Sequence, residues 1–334
     1  MRGRKNYTFV TGLKRLVIAG VVAAMVTASM GSVWGDRVVT ASAATAKVKI
    51  DKKAFPDSKF RLYVKYYFDT NSDGYLSKKE RNNAALISAK YWKISSFKGI
   101  KYFPNLKYLD CGHNNLTSLD LSGNKKLEKL NCDYNKLTSL DLSKNTKLKK
   151  LFCCNNKLKS LNVRANVALE VFFCMNNSIT SLDLSKNTKL NCFYCSENEL
   201  AYLNVSKNPE LENLVCSGNK ITRLDVSKNK KMKKLNVYNN SLKSLTIGGA
   251  TALDEVECSR NKLTALSTGN TPKLRTLYCG NNSLKTLNVS KSRSLQKLFC
   301  KSNKLTKLDV RKNKKLTAKS GIIDADKGVK IIKK

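Results

Sequence analysis

Six residues in one short stretch have the types and spacing to hold a metal ion. Asp69, Asn71 and Asp73 alternate along the chain, Gly74 follows, and Glu80 stands six residues after the glycine. Ca²⁺ takes six to eight oxygen ligands. Here Asp69, Asn71 and Asp73 offer side-chain oxygens and Tyr75 its carbonyl. Ser77 offers a hydroxyl, directly or through water, and Glu80 a two-oxygen carboxylate. Gly74 permits the sharp turn that such a loop needs. Aromatic residues at helical spacing between Phe55 and Phe68 predict a helix leading into the loop. Only one such loop is present, and the pattern also suits an acidic turn that carries no metal.

The other reactive side chains are arranged for architecture. The chain has 334 residues, 11 cysteines and one histidine. His113 occupies a variable position, and no serine sits in a glycine-rich elbow, so neither a hydrolase triad nor a phosphate loop is evident and the chain does not read as an enzyme. Nine cysteines recur every 21 residues or twice that: Cys111, Cys132, Cys153, Cys174, Cys195, Cys216, Cys258, Cys279 and Cys300, with Val237 filling the gap. A slot that accepts cysteine or valine is small, apolar and buried. In-register side chains on neighbouring strands point the same way, so free thiols are expected rather than disulfides. Cys154 and Cys192 fall outside this series and are expected on the exposed face.

The spacing comes from a repeat. From Leu106 to Lys315 the pattern LxxLxCxxNxLxxLDLSxNxx recurs ten times with no insertion, as in LEKLNCDYNKLTSLDLSKNTK (127–147). A fixed period of this length marks a stacked solenoid. Positions four and six are apolar between variable neighbours, which predicts a short strand with those two turned inward. Position nine is Asn in every copy, from Asn114 to Asn303, and a buried amide there would bond the backbone of its own turn and the next. Positions 11, 14 and 16 are aliphatic, which predicts an extended return path, and Gly or Asn near positions 18 to 19 closes the coil.

This pattern resembles the leucine-rich repeat family, with cysteine at the third leucine of the LxxLxLxxNxL segment, and the 21-residue unit resembles secreted bacterial repeat proteins of the internalin-like kind. The resemblance implies a curved stack with a parallel β-sheet on its concave face, where members bind proteins or glycans. The Asp69–Glu80 loop is similar to an EF-hand. Residues 47–105 would then form an N-terminal cap carrying this loop, with Trp92, Phe97, Ile100 and Phe103 over the first repeat. Residues 316–334 would close the far end through Ile322, Ile323, Val329, Ile331 and Ile332.

Position five of the strands carries Phe152, Phe173 and Tyr194 in successive copies, followed by Val215 and flanked by Val171 and Met175. Tyr278 and Phe299 form a second group. Contiguous exposed apolar surface marks an interaction site, whereas a self-stacking ladder would only stabilise the sheet. A protein or glycan ligand on this strip is the leading expectation.

Lys and Arg number 63 against 24 acids, a net charge of +39. Lysine recurs at positions 10, 18, 20 and 21. The excess suits polyanions such as wall teichoic acid or other anionic glycans, or a solvated coat; no nucleic-acid motif is present. The alternative function is a cationic wall-associated structural protein without a specific ligand. Residues 1–43 run from basic residues through the apolar Leu16–Met30 to Ala41-Ser42-Ala43, the order of a signal peptide removed on secretion; uncleaved, Leu16–Gly35 could anchor in a membrane.

Overall fold

The computed structural model describes residues 47–333. The expected signal segment, 1–43, lies outside them. Among the described residues, no helix is long and apolar enough to cross a membrane.

Each repeat makes one coil. Its strand covers positions three to five, as in Tyr108–Asp110 and Lys129–Asn131. Ten such strands pair in parallel register, each residue opposite its equivalent one repeat away, as in Leu130↔Leu151. Two further coils join them. β3 (Leu86–Ser88) precedes the first repeat, with Ile87 opposite Leu109, and Ile322–Asp324 follows the last, with Ile323 opposite Leu298. The sheet therefore has 12 strands. The spacing hid both outer coils, because Ile87 and Ile323 are not one exact period from their neighbours.

Positions four, six, 11 and 16 are buried in every repeat and, apart from Thr268, join a single apolar core that runs through the stack. The nine in-series cysteines are fully buried and free. Opposite the main sheet, positions 13 to 15 form short parallel pairs in the later repeats, as between Arg223–Asp225 and Ser244–Thr246.

Two asparagine ladders hold the turns. At position nine, Asn135 accepts from Leu116 N (3.0 Å) and donates to Cys111 O, Cys132 O and Asp133 O (3.0, 3.1 and 3.3 Å). It clamps a turn whose position-eight residue has positive φ, as at Tyr134 (φ 55) and Asn155 (φ 54). At position 19, Asn145 donates to Leu121 O and Asn124 O, one coil back. Its Oδ1 is buried with no partner, a condition shared by Asn124, Asn166, Asn187, Asn208, Asn229 and Asn313. The second ladder is interrupted by Ala250, Thr271 and Ser292. There Thr271 and Ser292 share a hydroxyl bond of 2.8 Å, and Ser292 donates to the hydroxyl of Thr268 at 2.6 Å.

The N-terminal end is sealed by aromatic packing. β1 (Val48–Lys49) leads to α1 (Ser58–Phe68), which Asp57 caps by accepting from Lys59 N and Phe60 N. β2 (Tyr75–Leu76) and α2 (Lys78–Asn83) follow. Phe55, Phe60 and Phe103 are fully buried; Phe97 and Ile100 nearly so. Trp92 is only partly buried and stands edge-on to Tyr63 at 5.0 Å. At the other end Ile323, Val329 and Ile331 pack against the core while partly exposed, and Ile322 is 42% exposed.

Candidate functional site

The sheet's outer face places the aromatic strip in register. Phe152 lies opposite Phe173, Phe173 opposite Tyr194, and Tyr194 opposite Val215. All are half-buried, as are Val171 and Met175. The Phe173 and Tyr194 rings stack with centroids 4.4 Å apart and planes 4° from parallel; Phe152 meets Phe173 edge-on at 5.2 Å. Tyr278 and Phe299 stack likewise at 4.7 Å and 9°. Beneath the strip, Phe172 and Phe193 replace the usual core leucines and stack at 5.2 Å, fully buried. These two bulky core residues sit in the same coils as Phe173 and Tyr194.

Ring stacking fixes what the strip can offer. Phe173 and Tyr194 turn their faces to each other, so outward they present edges. Lys129 Nζ stands 5.8 Å from the Phe152 centroid and 4.6 Å from that of Tyr108. Lys129 is thus a cation standing over the first ring of the strip. Burial, then the neighbouring Cys192, raises the Tyr194 phenol above its ordinary value, so it is a neutral hydrogen-bonding tip.

The two remaining thiols differ from expectation. Cys192 is half-exposed beside Tyr194. Cys154 is buried, not exposed, and its N–H donates at 2.5 Å to Oδ1 of Asp133, the residue at the same position one coil back. Burial pushes the Cys154 thiol up to about 12.

A second aromatic group escaped the sequence reading. Tyr91, His113 and Tyr134 stack along the turn column, with His113 4.4 Å from Tyr91 and 4.1 Å from Tyr134. Tyr91 and Tyr134 are exposed. The residues share position eight of successive coils, and the hidden coil before the first repeat concealed the alignment. Burial, then Lys90, lowers the His113 pKa.

The acidic loop lies between α1 and α2. Asp69 accepts from Asp73 N and Gly74 N (3.1 and 3.0 Å), and Gly74 has φ +77. β2 pairs antiparallel with β1, so Lys49 stands opposite Tyr75, and the Lys47 ammonium reaches Asp73 Oδ2 at 2.6 Å. Asn71 also donates to Asp73. Glu80 is buried, its Oε1 accepting from Thr70 N and Oγ1 (both 2.7 Å) and its Oε2 from Ser77 N (2.8 Å). With Ser77 accepting from Glu80 N, this is a capping box that starts α2. Burial alone would raise the Glu80 pKa, but the bonds from Thr70 and Ser77 outweigh it and the net shift is downward. Among the described residues, no three His, Cys, Asp or Glu side chains converge as a metal site. The donor set still fits Ca²⁺ in kind: hard oxygens only, a left-handed glycine at the turn, and two buried carboxylates.

Comparison with known proteins bears on the stack. Residues 104–145 match the family of leucine-rich repeats in two copies. Among solved structures, the functional domain of InlJ from Listeria monocytogenes, which includes a cysteine ladder, is similar at 28% identity and a TM-score of 0.62, over 86% of this chain and 72% of that one. The fold is that of a leucine-rich repeat solenoid. YopM from Yersinia pestis shares the fold at 21% identity and a TM-score of 0.58, over 74% of this chain and 65% of that one. So does a chain in the LRIM1/APL1C complex, at 20% and 0.54, over 72% and 53%. No curated protein matches the sequence. The solenoid's own cysteines stand in the same kind of ladder that the InlJ domain is described as having.

Proposed function

We propose that this solenoid is a secreted or cell-surface binding protein that engages a protein ligand on the outer face of its main sheet, with Ca²⁺ held in the N-terminal cap. The observation that carries this reading is the in-register strip of Phe152, Phe173 and Tyr194. A glycan reader needs open ring faces for sugars to lie on, and Phe173 and Tyr194 each cover one face of the other. Their edges, with Val171, Met175 and Val215, make an apolar contact surface of the kind that protein interfaces bury at their centre. Complex formation by the LRIM1/APL1C chains supports protein recognition by the fold in general.

In the cap, Asp69, Asn71, Asp73, Ser77 and Glu80, with the Tyr75 carbonyl, would hold the ion. The ion would tie α1 to α2. Glu80 Oε2, which accepts one bond from Ser77 N, keeps a lone pair for the ion, whereas Oε1 already accepts two, from Thr70 N and Oγ1. Secretion rests on the order of residues in 1–43.

Pull-down from surface extracts with the wild type and a Phe152→Ala, Phe173→Ala, Tyr194→Ala variant tests the ligand face. A protein captured by the wild type and lost with the variant, in both low and high salt, is the expected result. Equal capture by the two proteins overturns the assignment.

A further inference from the structure

The positive charge is not spread evenly around the coils. On the outer face of the main sheet, Asp110, Asp133, Glu255 and Glu257 offset the lysines. On the flank formed by positions 10 to 13 the balance differs. From the sixth repeat onward, every coil presents an exposed cation there: Arg223, Lys243, Lys262, Lys285, Lys307 and Lys330. They fall at positions 10, 12 or 13 of successive coils, one per coil: Arg223 stands opposite Ser244, the neighbour of Lys243, and Lys307 directly opposite Lys330. Among the described residues, none of the six has an acidic partner, whereas Lys220 of the same flank is bonded to Glu199. Two carboxylates share this face, Asp225 and Asp309, at its two ends, and Asp309 is occupied by Arg311 at 2.7 Å. The three middle coils carry no acid after position five.

We propose that this flank is a second binding surface, which takes a flexible linear phosphodiester polymer without bases, lying along the stack. The six charges form a band about 24 Å long, one charge per coil, with coils ~4.8 Å apart along the stack. Along the stack that is sparser than one strand of duplex DNA, at one charge per ~3.4 Å. Single-stranded nucleic acid is held largely by stacking on aromatic rings, and positions 10 to 15 of repeats six to ten contain none. Five of the six are lysines, point charges that attract a backbone without fixing its geometry. The inference is independent of the sheet-face reading, since the two surfaces use different positions of the coil.

The test measures affinity for poly(glycerol phosphate) against salt, with oligothymidylate and dextran sulfate as comparison polymers. Six neutralised phosphates give a slope of log affinity on log salt of about −4, so tripling the salt weakens binding about 100-fold. The variant Lys243→Gln, Lys262→Gln, Lys285→Gln should reduce that slope by about two units. The variant Lys144→Gln, Lys186→Gln, Lys207→Gln removes equal charge from another edge and should leave it nearly unchanged. All six sites are exposed, and matching circular dichroism spectra establish folding. Equal loss in both variants, or loss in neither, overturns the flank. Tighter binding of oligothymidylate or dextran sulfate overturns the polymer class.

Discussion

Replacing Asn135 and Asn145 separately by alanine compares the two ladders within one coil. Asn135→Ala leaves the buried Leu116 N–H, which has no other acceptor, unpaired. A buried orphan of this kind costs about 1–3 kcal/mol. The two amide hydrogens, shared among three carbonyls, also lose their bonds, at a net ~0.5–1.5 kcal/mol each, although those carbonyls keep other donors such as Asn114 and Asn156. The sum is about 4 kcal/mol. Asn145→Ala loses two donated bonds whose acceptors keep Asn124 N and Leu127 N. It also removes an unpartnered buried oxygen, which returns about 1–3 kcal/mol. The net is about 0–1 kcal/mol, and the cavity left behind is common to both. Urea unfolding should therefore separate the variants by about 3 kcal/mol, with amide exchange at Leu116 accelerated only in Asn135→Ala. The chain itself tolerates Ala250 in the second ladder and no substitution in the first. Asn145→Ala as damaging as Asn135→Ala would refute the reasoning.

Calcium should raise the thermal midpoint of the cap relative to excess chelator, and Lys47→Ala, by freeing Asp73, should tighten binding in calorimetry; no response to either sinks the metal assignment. Burial holds the Asp133 carboxyl above its ordinary pKa, so its contribution favours folding at low pH and is lost as pH rises through the raised value. Asp133→Asn should accordingly stabilise the protein at neutral pH and flatten that part of the stability profile; a variant that is less stable at neutral pH than the wild type contradicts this. A thiol reagent added to the native protein should modify Cys192 alone within the first phase, with Cys154 reacting only on unfolding. A second fast thiol would show that the coils open readily.

The period, the strand at positions three to five, the buried cysteines and the position-nine ladder were legible because each is a local rule repeated ten times: a side chain's inward or outward direction follows from strand geometry, and repetition removes the ambiguity of any single copy. Cys154 was misplaced because alternation tells which way a side chain turns and not how far residues of neighbouring coils, such as Asp133, cover it. The calcium pattern and the capping box share Ser77 and Glu80, so composition cannot tell a metal ligand from a helix cap. The outer coils, the ring faces that Phe173 and Tyr194 spend on each other, and the band from Arg223 to Lys330 depended on register between residues with no fixed spacing in the chain. Sequence determined which side chains each coil turns outward. Only the stacking of coils decided which of them become neighbours, because that adjacency is made by hydrogen bonds between strands and not by the order of residues within one.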